Sequence, residues 1–314
     1  MLAVAGLVTA AGAAGTLVAA RHTADSVQRV PDVAQTLSPK SLRVENYLLV
    51  GSDSREGGDP NTGNVGDVTG NRSDTIMVLR TDPSGGPAAL LSIPRDLYVT
   101  IAGTDRRSRI NSAFNAGPAT LVQTVQQELG IPVHHYVEID FNGFKTLVDA
   151  LGGVNLCFLY PTRDLNTGLN ITVPGCQVLD GLQSLAYARS RQYEEFKDGD
   201  WRKDPTSDLG RTTRQRDFVN RALQGALERI KVDPLATGEL VEAIGAAVAI
   251  DEELDPIQAG STLRTAVGAG LQSVSLPVEG ATIDGNSVLL LGDGADAVLD
   301  YFRGTSDVPP PTPG

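Results

Sequence analysis

From residue 45 onward, short apolar runs alternate with amphipathic stretches. Asn46 to Gly51 (NYLLVG), Thr75 to Leu79 (TIMVL) and Ala88 to Ile93 (AALLSI) each have the length of a buried strand. Asp82-Pro83-Ser84-Gly85-Gly86 turns between the last two and predicts a hairpin. Leu97 to Ile101 reads as a further strand. Over 117–129, Leu121, Val122, Val125 and Leu129 form one helical stripe that Gly130 stops. His135 to Ile139 then predicts a strand, Phe141 to Leu151 a helix, and Val154 to Phe158 another strand. The longest helical stretch is Leu209 to Ile230, with Phe218, Ala222, Leu223, Leu227 and Ile230 as its apolar face. The final eighty residues alternate helices and short strands and complete the same domain. Strands interleaved with helices predict an α/β sandwich around a mixed sheet.

The ends break this pattern. Met1 to Ala20 carries no charge, and as a helix it would span about 30 Å, the thickness of a bilayer core. It reads as a transmembrane anchor over 1–20. A signal peptide is the alternative: no positive charge opens the run, but Val18-Ala19-Ala20 offers a small-residue cleavage site. Arg21, Arg29, Lys40 and Arg43 follow it, and the positive-inside rule alone would keep the main domain in the cytoplasm. A short basic segment ahead of Met1 would restore an outward orientation, and that is the expectation here. Residues 21–44 read as a polar stalk, 45–305 as the main domain, and 306–314, with Pro309-Pro310-Pro311, as a loose tail.

Composition narrows the function. Hydrophobic residues make up 41% and charged residues 20%, enough for a sizeable core. A net charge of −12 argues against general binding of nucleic acid. Three histidines and two cysteines, with no Cys-x-x-Cys, argue against a Cys/His zinc site.

Against that acidic background four polar clusters stand out. They are Gly51-Ser52-Asp53-Ser54-Arg55, Arg72-Ser73-Asp74, Pro94-Arg95-Asp96, and a long fourth running from Arg189-Ser190-Arg191 to Asp208-Leu209-Gly210-Arg211-Thr212-Thr213-Arg214-Gln215-Arg216. The first three lie at the ends of apolar runs, where ligands collect in open α/β sheets. Arginine cannot shed its proton, so gathered arginines call for an anion between them, and guanidinium groups take phosphate oxygens two at a time. Asp208, Arg211 and Gln215 share one helical stripe near an N-terminus, whose dipole also favours an anion. Asp53 and Asp74, ending one strand and beginning the next, are placed to share a divalent ion such as Mg2+. Taken singly, Arg-Thr-Thr-Arg-Gln-Arg reads as surface charge, Asp53 as a turn cap and Asp96 as a stabilising pair with Arg95. Only their joint placement points to a site.

These segments together resemble the LytR-CpsA-Psr family of cell-wall glycopolymer ligases over roughly residues 45–232. The resemblance is carried by LLVGSDSR (48–55), RSDTIMVLRTD (72–82), LLSIPRDLYV (90–99), RINSAFNAG (109–117), DFNGFKTLVDALGG (140–153), LDGLQSLAYARSR (179–191) and DLGRTTRQRDF (208–218). It implies a three-layer α/β/α sandwich with a mixed central sheet and a long apolar pocket for a polyprenyl chain. It further implies an extracytoplasmic catalytic domain held to the cell membrane by a single pass. Arg72, Arg95, Arg189, Arg191 and Arg211 then look like the pyrophosphate-binding set and Asp53 and Asp74 like the Mg2+ ligands. Asp208 and Gln215 match positions that support the arginines and ligand. Arg109 stands where relatives often carry lysine, and its fork differs from an ammonium. Two inserts depart from the family, 57–70 and 194–206, both expected near the site mouth. The cysteines match a subset of relatives in which Cys157 bridges Cys176, closing a loop of about 20 residues for roughly 3 kcal/mol. Such a bridge favours export.

The activity implied is transfer of a glycopolymer from a polyprenyl-pyrophosphate carrier to peptidoglycan. Mg2+ and fixed arginines, chiefly Arg95 and Arg211, would stabilise the developing charge, and Asp53 or Asp74 stands as candidate base. Two alternatives stay open, a lipid pyrophosphate hydrolase and a non-catalytic polyprenyl-phosphate binding protein. A transcriptional role is disfavoured by the acidic balance and the lack of a basic recognition helix.

Overall fold

The central strands carry apolar runs, such as Leu48 to Val50, Ile76 to Leu79 and Ala88 to Leu91, because both faces of the sheet are covered. The computed structural model describes residues 27–40, 44–52, 73–82, 86–205, 207–232 and 236–310. In chain order these form β1 (Gln28–Val30), a 3-10 turn (Pro31–Thr36), β2 (Glu45–Ser52), β3 (Ser73–Thr81), β4 (Ala88–Ile93), β5 (Tyr98–Thr100) and β6 (Arg107–Arg109). Helices α1 (Asn111–Phe114) and α2 (Pro118–Leu129) lead to β7 (His135–Ile139), α3 (Phe141–Ala150), β8 (Val154–Phe158), β9 (Thr162–Asp164), β10 (Leu169–Ile171) and β11 (Gly175–Leu179). Then come α4 (Gly181–Arg189), β12 (Glu194–Lys197), β13 (Asp200–Lys203), α5 (Ser207–Val232) and α6 (Ala236–Ala247). The chain closes with β14 (Val248–Asp251), α7 (Pro256–Ala269), β15 (Leu271–Ser275), β16 (Val278–Ile283), β17 (Asn286–Leu291) and α8 (Ala295–Arg303).

Seven strands make one mixed sheet in the order β1-β14-β7-β2-β3-β4-β15. The expected hairpin is present, β3 pairing antiparallel with β4, while β7 lies parallel to β2. Alternation sorts the side chains. Leu48, Val50, Ile76, Val78, Leu91 and Ile93 pack with α2 and α8 on one face. Tyr47, Met77, Leu79 and Leu90 meet α5 and α7 on the other. This is the expected α/β/α sandwich.

A smaller core lies beside it. Val154–Phe158 does not join the main sheet but pairs with β11, and Leu156, Phe158, Leu179, Ala186, Tyr187 and Phe218 pack together there. Cys157 faces Cys176 across that ladder and is bonded to it. Gly153 enters the ladder with φ 88°, and a Cβ there would meet Val178 Cγ1 at 2.5 Å and the Leu179 carbonyl oxygen at 2.7 Å, so only glycine fits.

Two bounds need correction. The stalk does not extend to residue 44: Gln28–Val30 pairs with β14 at the sheet edge, and Val27 and Val33 are buried. Pro310 is buried and its carbonyl accepts from Gln272 Nε2 at 2.5 Å, so the domain runs past 305. The insert 194–206 contains an ordered hairpin that joins β9 and β10 in a four-stranded sheet. The expected anchor, residues 1–20, lies outside the described residues, as does the insert 57–70. Among the described residues no helix is long and apolar enough to cross a membrane.

Candidate active site

Strand direction gathers the chemistry at one edge of the sheet. The C-terminal ends of β2, β7, β4 and β15 and the N-terminal end of β3 all lie there, fixed by the pairs Gly51↔Ile139, Ser52↔Ser73, Ile76↔Ile93 and Ser92↔Ser275. Asp53 follows Ser52, Asp140 follows β7, and Pro94-Arg95-Asp96 follows β4. From β7 to β4 is three strand spacings, about 14 Å.

The arginines arrive at this edge from separate segments. Arg95 comes directly off β4, with Asp96 3.7 Å from its Nε. Arg189, at the end of α4, stacks over the Phe141 ring at 4.3 Å and so stands beside the end of β7. Arg211 is buried on α5, with 2% of its surface exposed. Helix α5 is tied down by its next turn. Arg216 donates from Nη1 to Ser275 Oγ at the end of β15. Gln215 donates from Nε2 to the Ala188 carbonyl at 3.0 Å, and Arg214 Nη2 to the Ser190 carbonyl at 2.8 Å. Those two bonds hold the segment carrying Arg189 and Arg191 against the turn carrying Arg211. Gln215 thus braces the end of α4 against α5.

Arg109 sits one step further out. Its Nε and Nη2 donate to the Ser287 carbonyl at 3.2 and 2.9 Å, and Asp96 lies 3.4 Å from Nε. Arg95 and Arg109 line one cavity of about 420 Å3 with Tyr98, Arg107 and Asn111. Arg72 and Asp53 lie outside the described residues, as do the side chains of Asp74 (in β3) and Asp208 (in α5). The strand ends they flank are nevertheless informative. Ser52 and Ser73 are paired and fully buried, and Ser73 Oγ finds no hydrogen-bond partner among the described residues. A hydroxyl in want of a partner between two aspartate positions is the hard-oxygen environment that Mg2+ takes.

Sequence reasoning passed over several residues. Arg214 and Arg216 are buried, 9% and 6% exposed, although the run reads as surface charge. Burial lowers the Arg216 pKa, yet a guanidinium keeps its charge, so the helix holds cations inside the protein. Asp164, 1% exposed, anchors the Arg189–Arg191 segment by accepting from Ser190 Oγ at 2.7 Å and the Gln192 N–H at 2.8 Å. Burial works to raise its pKa, but these bonds and those from the Asn166 and Thr167 N–H groups leave it lowered. No spacing in the sequence links residue 164 to 190.

The LytR_cpsA_psr family matches residues 11–299. A probable cell wall biosynthesis protein LcpB of Corynebacterium glutamicum is 33% identical over 288 residues, covering 89% of this chain and 66% of that protein. The chain thus spans about two thirds of that relative. The polyisoprenyl-teichoic acid–peptidoglycan teichoic acid transferase TagU of Oceanobacillus iheyensis is 28% identical over 89% of this chain and 82% of its own length. Among solved structures, a LytR-Csp2A-Psr enzyme from Actinomyces oris superposes with a TM-score of 0.71 at 23% identity, covering 88% of this chain and 96% of that one, a likeness of fold. With the family's match running through the strand ends and helix that carry the arginines, the chain belongs to the LytR-CpsA-Psr family.

Proposed function

We propose that the chain is a phosphotransferase of the cell envelope that moves a glycopolymer from a polyprenyl-pyrophosphate carrier to peptidoglycan. The observation that carries this reading is the placement of Arg95 just after β4 and of Arg189 beside the end of β7, with Arg211 buried on α5 ahead of the Arg216 bond to the end of β15. Guanidinium groups brought toward one sheet edge from separate segments suit a diphosphate. Leu49, Val137 and Val248 on the α5 face of the sheet, with Val219 and Leu223 on α5 itself, are only partly buried, whereas Leu48 and Val50 on the opposite face are closed. A polyprenyl chain would complete their burial at about 25 cal/mol per Å2.

In this reading Arg95 and Arg211 grip the phosphate oxygens, and the acceptor sugar hydroxyl attacks the phosphorus nearest the glycopolymer. The new P–O bond forms as the bond to the polyprenyl phosphate breaks. Charge grows on the departing phosphate, so fixed guanidinium groups stabilise the transition state more than the ground state. Asp53 and Asp74 would hold Mg2+, which would supply further positive charge beside the phosphate oxygens. Asp53 or Asp74 is the candidate base for the hydroxyl proton. The disulfide supports an extracytoplasmic setting, and an anchor within 1–20 would hold the domain at the membrane.

The test is label transfer. Lipid-linked polymer labelled in its glycan, incubated with the chain and Mg2+, should move label into insoluble peptidoglycan, and chelation should stop it. Label released into solution at the same rate without acceptor would mark a hydrolase. No release or transfer would mark a binding protein.

A further inference from the structure

A second cavity, of about 480 Å3, opens between α4, α5 and the β12–β13 hairpin. Two aromatic rings line it, Tyr187 and Tyr193, packed edge to face with centres 6.4 Å apart. Arg214 lines it too and lies over the Tyr193 ring at 4.3 Å. The remaining wall is the hairpin, whose alternation separates two faces. Glu195, Lys197 and Arg202 line the cavity, while Phe196 and Trp201 pair on the reverse side, centres 5.4 Å apart. That reverse side is fastened to β9: Arg163 stacks over Trp201 at 4.0 Å and pairs with Glu194 at 2.7 Å. The wall is therefore built into a sheet.

The cavity is physically joined to the arginine site. Arg214 follows Arg211 by one helical turn, and its second nitrogen holds the Ser190 carbonyl between Arg189 and Arg191. Its first nitrogen bonds Asp204 at 2.7 Å, closing the base of the hairpin. Lys197, Arg202, Lys203 and Arg214 line it with Glu195 and Asp204; Lys197 pairs with Glu195 at 2.6 Å, and Arg202 pairs with Asp198 at 2.8 Å, outside the lining.

Tyrosine rings pack against the C–H faces of pyranose sugars, and long cationic side chains bond hydroxyls and attract carboxylates. The volume suits an organic ligand of a few rings. A donor glycan arrives already attached to the diphosphate, but the acceptor must find its own seat within reach of the phosphorus. We infer that this cavity is the acceptor subsite and takes an amino-sugar glycan that bears carboxylates. The inference rests on the transfer reading of the neighbouring site and adds where the acceptor binds.

Calorimetry on the full chain separates the two claims, with uncross-linked muramyl glycan fragments and a short-chain polyprenyl diphosphate titrated independently. Tyr193→Ala and Arg202→Glu should each weaken glycan binding about tenfold or more while leaving diphosphate binding unchanged. The Arg202 side chain is 58% exposed and its ion pair with Asp198 is exposed too, a contact worth little to stability, so its reversal leaves the fold intact where Tyr193→Ala disturbs packing. Unchanged glycan affinity in Arg202→Glu overturns the subsite, as does equal weakening for glycan and diphosphate. Greater weakening for a sugar-bearing diphosphate than for the muramyl glycan also overturns it, by assigning the cavity to the donor. A wild-type chain that binds the glycan through these residues but not the diphosphate would contradict the transfer reading and leave the glycan subsite standing.

Discussion

The two ends of the central sheet handle buried charge in opposite ways. At the end away from the arginines, His135 lies between two carboxylates, with Nδ1 3.3 Å from Asp251 and Nε2 3.2 Å from Glu45. Asp251 is fully buried and also accepts from the Tyr136, Glu253 and Leu254 N–H groups, while Arg29 donates to the Asp251 carbonyl. Burial opposes a charged His135 ring, and the two carboxylates overcome it, raising its pKa to about 9. That network is closed within the protein. At the other end, arginines reach one sheet edge from β4, α4 and α5, with Asp96 3.7 Å from Arg95, and there a diphosphate is proposed to bind. The first network serves the fold, and the second is proposed to serve binding.

Breaking the closed end should have the largest effect. Asp251→Ala leaves His135 Nδ1 and the Tyr136, Glu253 and Leu254 N–H groups without their acceptor, and a loss of about 3–5 kcal/mol is expected in urea unfolding. Turnover of the molecules that remain folded should not change. Replacing both cysteines, Cys157→Ser with Cys176→Ser, should cost about 3 kcal/mol in the same assay, confined to the smaller core and without effect on diphosphate affinity.

Breaking the open end should do the reverse. Arg95→Ala and Arg211→Ala should each lower turnover about 100-fold, near 2.7 kcal/mol of barrier, with little change in unfolding midpoint for the partly exposed Arg95. Near-normal transfer by both variants would remove the arginines from the mechanism.

The pH response sharpens the contrast further. The folded pKa of His135 is raised above the ordinary value of 6.5, so its contribution is complete below that value and lost as pH rises through about 9. Asp251 and Glu45 are lowered, so their share is lost only as pH falls below the usual carboxylate range. His134 acts below 6.5, where its depressed pKa and the Asn46 N–H it accepts keep it neutral. Unfolding free energy should therefore decline between pH 6.5 and 9, and His135→Gln should flatten that decline. The smallest effect belongs to Arg221→Ala, which breaks an exposed pair with Asp217 on α5 and should change stability by less than about 0.5 kcal/mol.

Much of this was legible in the sequence. β2, β3, β4, β7, α2, α3 and α5 follow from apolar periodicity, because their neighbours bury whole faces. β1 was not, since its three residues carry Gln28 and Arg29 and pair only along an edge. The β12–β13 hairpin had a readable cue in Asp198-Gly199, whose positive φ values of 53° and 83° make the tight turn between charged strands. Cations buried on α5 were hidden because periodicity reports which face is apolar and not whether a polar face is covered. Arg95, Arg189, Arg191 and Arg211 were singled out by their positions at element ends, whereas Asp164 acts through contacts that only the folded chain creates.

Equilibrium binding of a short-chain polyprenyl diphosphate to the wild-type chain and to the Arg95→Ala, Arg211→Ala double variant tests the central claim most directly. The account predicts tight, salt-sensitive binding to the wild type and a loss of about 100-fold or more in the variant. Equal affinity in a folded double variant would contradict it.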